Sequence, residues 1–304
     1  MSLTGVFVVS KRILIQLDCD PQPSTFDAVV ATDAGADVLL RHGGVSSENV
    51  TPLVHGAMFT RGGADLASTA IFIGGADVVA AEAVCEKVRE TFFGPVRVGV
   101  MLDPNGANTT ASAAVVAAAR HIPLGDRTMA TGLRAVVLGG AGPVGQRVAR
   151  LLAGKGMHVG VASRSLSRAA AACARIADQV AGAAVEPLEM PDAVRERTPI
   201  GSGIAEADLI VAAGAAGATL LDAAGRTLAR KARVLVDVNA VPPAGIEGIL
   251  PTDKARIDGT AVVYGALGIG GLKIKIHKAA IQKLFTATDI FLDAEQMLAI
   301  GESL

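Results

Sequence analysis

Ala135-Val136-Val137-Leu138, followed by Gly140-Ala141-Gly142-Pro143-Val144-Gly145, decides the reading of this chain. Four consecutive apolar residues predict a strand buried on both faces. A helix through Val148, Leu151 and Leu152 is predicted after the glycines. A Gly-x-Gly-x-x-Gly pattern means little by itself among 35 glycines. Between a buried strand and a helix it has a physical purpose. The first two glycines allow a tight turn and close approach of backbone N–H groups to a pyrophosphate, and the third lets helix and strand pack closely. The helix N-terminus adds open N–H donors and partial positive charge. Pro143 suits the first helical turn, where its missing N–H costs nothing. The expected ligand is a nicotinamide dinucleotide held by Gly140, Ala141, Gly142, Pro143, Val144 and Gly145.

The next strand, His158 to Ala162, ends in Ser163-Arg164-Ser165, with Arg168 one turn on. An enzyme using NAD often has Asp or Glu at this place to bind the adenosine ribose hydroxyl. A carboxylate would repel a 2′-phosphate, whereas Arg164 can pair with it and stack on adenine. Ser163, Arg164 and Arg168 therefore favour NADP, with NAD left open as a second acceptor.

Outward from this point strands and helices alternate. Downstream the pattern predicts a helix near Ser167 to Val180, strands at Asp208 to Ala213 and Val234 to Val238, a helix near Ala218 to Ala229, and a further strand at Ala261 to Tyr264. Asn239 follows the last clear strand and is expected near the nicotinamide. Upstream, Ile13 to Leu17, Ser68 to Ile73 and Val96 to Leu102 read as strands. Ser24 is placed to cap one helix, Asp77 to Phe92 forms another, and an Ala/Val-rich helix ends near Ala119. Gly271 to Phe285 reads as a helix with Leu272, Ile276, Ala279, Ala280 and Leu284 inward. The polar run Pro123 to Gly132 is taken as a domain junction. The fold class expected is α/β with two domains and a deep cleft between them. Residues 126–269 would form a Rossmann-type dinucleotide domain, and residues 1–125 with 270–304 an α/β substrate domain.

Bulk composition agrees and excludes several classes. The 304 residues are 51% hydrophobic and 19% charged, which argues against disorder. A formal net charge of −1 provides no field for nucleic acid or an anionic membrane. The three cysteines, Cys19, Cys85 and Cys173, are far apart, and their spacing indicates neither a disulfide frame nor a metal site. Met1 to Ser10 lacks a basic segment followed by a long apolar one, and no apolar run approaches a membrane span. The expectation is a cytoplasmic protein with no metal, no nucleic-acid partner and no membrane.

Spacing alone does not name the substrate. Several stretches do resemble those of a known family. They are Phe92-Phe93-Gly94-Pro95, Met101 to Thr110 (MLDPNGANTT), Gly140 to Gly145, Asp237-Val238-Asn239-Ala240 with Pro242-Pro243, and Gly265 to His277 (GALGIGGLKIKIH). Together they resemble the NAD(P)-dependent methylene-tetrahydromethanopterin dehydrogenases of methylotrophic bacteria, over nearly the whole chain after about Lys11. The resemblance implies oxidation of a methylene bridge between two pterin nitrogens in one-carbon (formaldehyde) oxidation, a tetrahydromethanopterin-type substrate, and a homo-oligomer. The central step transfers a hydride and no proton, so no acid–base dyad is required. Alignment of the bridge carbon with nicotinamide C4 and exclusion of water are what the protein must supply.

By the resemblance Lys273 is the candidate catalytic side chain. Its full charge would disfavour a cationic product at very short range, which implies a neutral or displaced lysine. His277 lies one turn on, on the same helix face, and joins the substrate-side candidates. Lys275 and Lys278 read as solvated. Asp103, Asn105, Asn108, Thr109 and Thr110 end a strand on the side where open α/β sheets bind ligands, and their amides and hydroxyls suit a pterin edge. Ordinary turn and cap chemistry is the alternative reading. Asp18 and Asp20 end another strand and could hold the pterin's guanidine-like edge or cap the next helix. The competing readings are a methylene-tetrahydrofolate dehydrogenase, a shikimate- or glutamate-type dehydrogenase supported by nothing beyond the glycine turn, and a non-catalytic NADP sensor.

Overall fold

The computed structural model describes residues 10–125, 127–191 and 196–304, so the expectation for the first ten residues falls almost wholly outside it. The chain divides into two compact units. One holds the residues up to Gly106 with His277–Gln296, the other Ala107–Ile276 with Met297–Leu304.

The first unit begins with β1 (Ile13–Asp18), α1 (Thr25–Asp33), β2 (Val38–His42), α2 (Thr51–Phe59), β3 (Thr69–Gly74), α3 (Val78–Thr91) and β4 (Gly99–Leu102). Ser24 caps α1 and Asp77 caps α3, each through a side-chain oxygen that accepts from backbone N–H groups. All strand pairs are parallel, in the order β2, β1, β3, β4 and a two-residue strand Phe291–Leu292. The order reverses between β1 and β3, the place where such sheets take ligands at their carboxyl ends. Ile15, Leu17, Ile71, Ile73 and Val100 form a core with Val54, Val84 and Val88 from the helices. Each fully buried Val, Leu or Ile contributes roughly 1.5–3 kcal/mol. The sequence pattern missed β2 and α2. β2 is a half-exposed edge strand without clean alternation, and α2 has no side-chain cap to announce it.

The second unit runs α4 (Ala107–Ala119), α5 (Arg127–Ala130), β5 (Arg134–Leu138), α6 (Pro143–Gly154), β6 (His158–Ser163), α7 (Leu166–Gln179), β7 (Ala184–Glu189), α8 (Pro199–Glu206), β8 (Leu209–Ala212), α9 (Ala223–Arg226), β9 (Val234–Asp237), β10 (Lys254–Asp258), β11 (Ala261–Tyr264), α10 (Ala266–Leu284) as far as Ile276, and α11 (Ala294–Glu302) from Met297. Its strands follow the order β7-β6-β5-β8-β9-β11-β10, and only β10 is antiparallel. Numbered within this unit the six parallel strands read 3-2-1-4-5-6, the doubly wound dinucleotide-binding order. Val136, Leu138, Ile210, Leu235 and Val263 pack against Ile200 and Ile204 of α8.

β7, α8 and β10 were not anticipated. β7 carries Pro187, tolerated because it is an edge strand, and β10 is an edge strand with a register shift. The predicted helix over 218–229 shortens to α9. α4 and the start of α10 belong to the dinucleotide unit, where the sequence reading placed α4 and the chain from residue 270 with the other. α4 has small apolar residues on every side and is buried nearly all round, as the interior of a core demands. Gly301 of α11 lies so close to Val116 and Ile276 that a Cβ would come within 3.0 Å of Val116 and 2.7 Å of Ile276. The division falls inside α10, after Ile276. Among the described residues no helix is long and apolar enough to cross a membrane.

Candidate active site

β5 enters the glycine turn through Gly139, whose φ of +75° strains any other residue. A Cβ there would lie 2.5 Å from Gly214 Cα, beyond β8, so two backbones touch at the point where the strand order reverses. A Cβ on Gly140 would lie 2.8 Å from the Val161 side chain. On Gly145 it would lie 2.8 Å from Gly140 Cα and run into the Gly139 carbonyl. Packing therefore requires these glycines. Gly142 differs. Its φ is −83°, and a Cβ would find only the Gly139 and Ala213 carbonyl oxygens, at 3.3 and 3.7 Å. Packing and backbone conformation therefore constrain this position less than they constrain Gly139, Gly140 and Gly145.

Gly142 is the N-cap of α6, and no side chain caps that helix. Side-chain oxygens do cap α1, α3, α7, α8 and α9. Pro143 has no N–H, so Val144 and Gly145 supply the open donors of the first turn. A small surface, open donors and the positive end of a twelve-residue helix together fit a pyrophosphate.

β6 ends at Ser163, whose Oγ accepts from the Ser165 N–H at 3.3 Å. Ser165 caps α7 and its hydroxyl lies 2.8 Å from that of Ser167. Arg164 and Arg168 are exposed and enter no ion pair among the described residues. Glu189 of β7 stands in register with Ser163, so an acid is present on the neighbouring strand and none directly follows β6 itself.

Asn239 lies just beyond β9 and is half-buried. Its Nδ2 donates to the Pro243 carbonyl at 3.1 Å and its Oδ1 accepts from the Val241 N–H at 3.0 Å. Asp237, not singled out from the sequence, organises this loop from below. Its two oxygens accept from the N–H groups of Asn239 and Ile246 at 2.9 and 3.0 Å. Burial raises its carboxyl above the usual range, against the lowering effect of those backbone donors. An acid ending a strand two residues before Asn239 was the available signal.

The substrate-side candidates separate into different roles. In the first unit Asp18 is fully buried. Its carboxylate accepts from the N–H groups of Asp20 and Ser24, both at 3.0 Å, and so organises the turn that leads to the α1 cap without capping the helix itself. Asp20 is half-buried and accepts from the Ala76 N–H at 3.0 Å, joining the carboxyl ends of β1 and β3. Asp103 is buried, while Asn105 is exposed with a φ of +54°. His277 is 1% exposed and stacks on Phe72 at 5.6 Å between centroids, with Phe26 at 6.5 Å, which makes it a core residue. Lys278 pairs with Asp33 at 2.8 Å.

In the second unit Asn108 and Thr109 are buried, and Thr110 is half-buried. The Asn108 side-chain oxygen accepts from Arg147 of α6, so it serves the packing of α4. Lys273 is half-buried and Lys275 exposed, both on α10. The glycines before Lys273 divide by function. A Cβ on Gly265 or Gly268 would collide with the backbone of Leu250–Asp253, whereas Gly270 and Gly271 face open space. Burial pushes the Cys19 thiol up to about 11, with help from Asp18, Asp20 and Asp77, and the Cys85 thiol up to about 12. Neither is a nucleophile at neutral pH.

Comparison with known proteins agrees with this layout. A family model described as "Methylene-tetrahydromethanopterin dehydrogenase, N-terminal" matches residues 25–105, within the first unit. A Methylorubrum extorquens protein named "Bifunctional protein MdtA" is 42% identical over 97% of this chain and all of its own length. A second protein of that organism, named "NAD(P)-dependent methylenetetrahydromethanopterin dehydrogenase", is 31% identical over 92% of this chain and 94% of its own. Among solved structures, quinate dehydrogenase from Corynebacterium glutamicum in complex with NAD aligns over 97% of this chain and 99% of its own. Its 17% identity and TM-score of 0.52 show a shared fold. The relationship runs through both units at an identity that independent chains do not reach, and the chain belongs to the methylene-tetrahydromethanopterin dehydrogenase family.

Proposed function

We propose that this protein oxidises methylene-tetrahydromethanopterin to its methenyl form by direct hydride transfer to a nicotinamide cofactor, with NADP favoured over NAD. The near full-length relationship to an enzyme named for this reaction carries the proposal. The preference for NADP rests on Ser163-Arg164 at the end of β6, where no acid stands. When bound, the nicotinamide accepts at C4 the electron pair of the breaking C–H bond.

The chain's own residues do the rest. A lone pair of one bridge nitrogen closes the C=N bond as the hydride leaves, so no side chain need move a proton. The first turn of α6 would hold the pyrophosphate through the N–H groups of Val144 and Gly145. Arg164, with Arg168, would pair with the 2′-phosphate. Asp237 fixes the loop of Asn239, whose side chain closes the turn rather than reaching outward. Lys273 is the residue assigned to orient the reacting bridge, and Asp20, Asn105 and Thr110 are the substrate-side groups that remain accessible. Cytoplasmic location and a homo-oligomeric state belong to the same proposal.

The test measures formation of reduced nicotinamide by absorbance, with each pterin and each dinucleotide in turn. Reduction of NADP with methylene-tetrahydromethanopterin, faster than that of NAD, is expected. Methylene-tetrahydrofolate carries the same bridge and is the second substrate; a clear preference for it overturns the assignment of the pterin. No turnover with either pterin, despite tight NADP binding, leaves a sensor.

A further inference from the structure

Gln146 and Arg175 have no place in the reading above, yet together they grip the dinucleotide turn. Gln146 is the fourth residue of α6, and its N–H makes that helix's first backbone bond, to Gly142 at 2.9 Å. Its side-chain Nε2 donates to the Ala141 carbonyl at 2.7 Å. Its Oε1 accepts from Arg175 of α7, from Nε at 3.2 Å and Nη2 at 2.8 Å. The Gly142 N–H in turn donates to the Gly139 carbonyl at 2.9 Å. The peptide plane joining Ala141 to Gly142 is thereby held at both its oxygen and its nitrogen.

We infer that Gln146, held by Arg175, is a positioning residue that keeps the Ala141 carbonyl turned away from the pyrophosphate and so presets the turn for any nicotinamide dinucleotide. The inference deepens the proposed function and rests on its dinucleotide site. A carbonyl released from Gln146 can swing its lone pairs toward the phosphate oxygens, replacing a neutral surface with repulsion. Two guanidinium donors on one amide oxygen polarise the amide, and its N–H becomes the stronger donor to Ala141. Arg175 therefore acts through Gln146. Both dinucleotides share the pyrophosphate, so the brace affects them equally, unlike Arg164.

The experiment titrates NADPH and NADH fluorescence in the wild type, Gln146→Met, Arg175→Met and the double variant. Melting temperatures and turnover at saturating cofactor are measured alongside. Gln146→Met keeps the length of the side chain and loses only its polar atoms. Both Kd values are expected to rise about tenfold in that variant, the worth of one hydrogen bond, and by the same factor for each dinucleotide. The double variant should be no worse than Gln146→Met alone, and kcat should stay within about twofold of the wild type. Wild-type Kd values in Gln146→Met overturn the inference. So do losses that multiply in the double variant, because Arg175 would then act on the phosphates directly. A strut serving only the packing of α6 on α7 would lower the melting temperature and leave the Kd values alone. A wild type that binds neither dinucleotide refutes the dinucleotide site itself.

Discussion

Replacing Gly142 by alanine separates the requirements of a ligand from those of packing. The φ of −83° and ψ of 171° are ordinary for alanine. The new methyl group would stand 3.3 Å from the Gly139 oxygen and 3.7 Å from the Ala213 oxygen, close but not colliding. The cost to the fold is that of alanine instead of glycine at an N-cap, about 1 kcal/mol. The methyl also occupies the surface against which the pyrophosphate must lie to reach the N–H groups of Val144 and Gly145. Hydrogen bonds to a charged group are worth about 1.5–3 kcal/mol each, so displacing the phosphate from both loses at least about 3 kcal/mol. That corresponds to about a hundredfold rise in Kd. Fluorescence titration with NADPH measures the affinity, and calorimetry of the unliganded protein measures the stability. Gly145→Ala is the control, since its Cβ would lie 2.8 Å from Gly140 Cα and the backbone must shift. That variant should lose clearly more stability than Gly142→Ala, up to about 3 kcal/mol, through overpacking. The reasoning is refuted if Gly142→Ala binds NADPH like the wild type. It is equally refuted if Gly142→Ala melts as early as Gly145→Ala.

Arg164→Ala should weaken NADP binding by about 10- to 100-fold, the loss of a charge-assisted pairing, with NAD nearly unchanged. Equal losses for the two dinucleotides in competition titrations would remove Arg164 from the 2′-phosphate site. Lys273→Ala should lower kcat by about a hundredfold or more while the Kd for NADPH holds, and near-normal steady-state turnover would end its catalytic assignment. Asp253 is held below its ordinary carboxyl range chiefly by its hydrogen bond from Arg256, and Asp258 by those from Arg226 and then Arg256. A depressed carboxyl pKa stabilises the fold above the unfolded value of 3.8 and loses that contribution as pH falls through the lower folded value. The melting temperature of Arg256→Met should therefore drop less than that of the wild type between neutral pH and pH of about 3. An unchanged pH dependence would show that the Arg256 cluster contributes nothing to acid stability.

Much of the candidate site's local structure was legible because it is local. A buried strand, a glycine turn and a helix are consecutive in sequence, and their hydrophobic period and glycine spacing carry the geometry with them. The end of β6 was legible for the same reason, since the residues proposed to choose between cofactors follow directly on their strand. Edge strands escaped notice because half-exposed residues have a weak period. Asp18 and His277 illustrate a different limit. A carboxylate at the end of a strand is suited equally to a ligand and to a turn, and only the positions of Ser24 and Asp20 decide. His277 shares a helix face with Lys273 in sequence, yet the face is buried where it meets Phe72 and Phe26.

The sequence by itself determined the α/β class, the dinucleotide turn, the absence of an acid after β6 and, through its long motifs, the family. These depend on residue type and short-range spacing. Tertiary structure alone decided which polar groups are already used. Asn108 is taken by Arg147, Asp237 by its loop, and the Ala141 carbonyl by Gln146 with Arg175 from another helix. A hydrogen bond between residues 29 or 39 positions apart leaves no trace in local pattern, because its geometry exists only after the helices have packed.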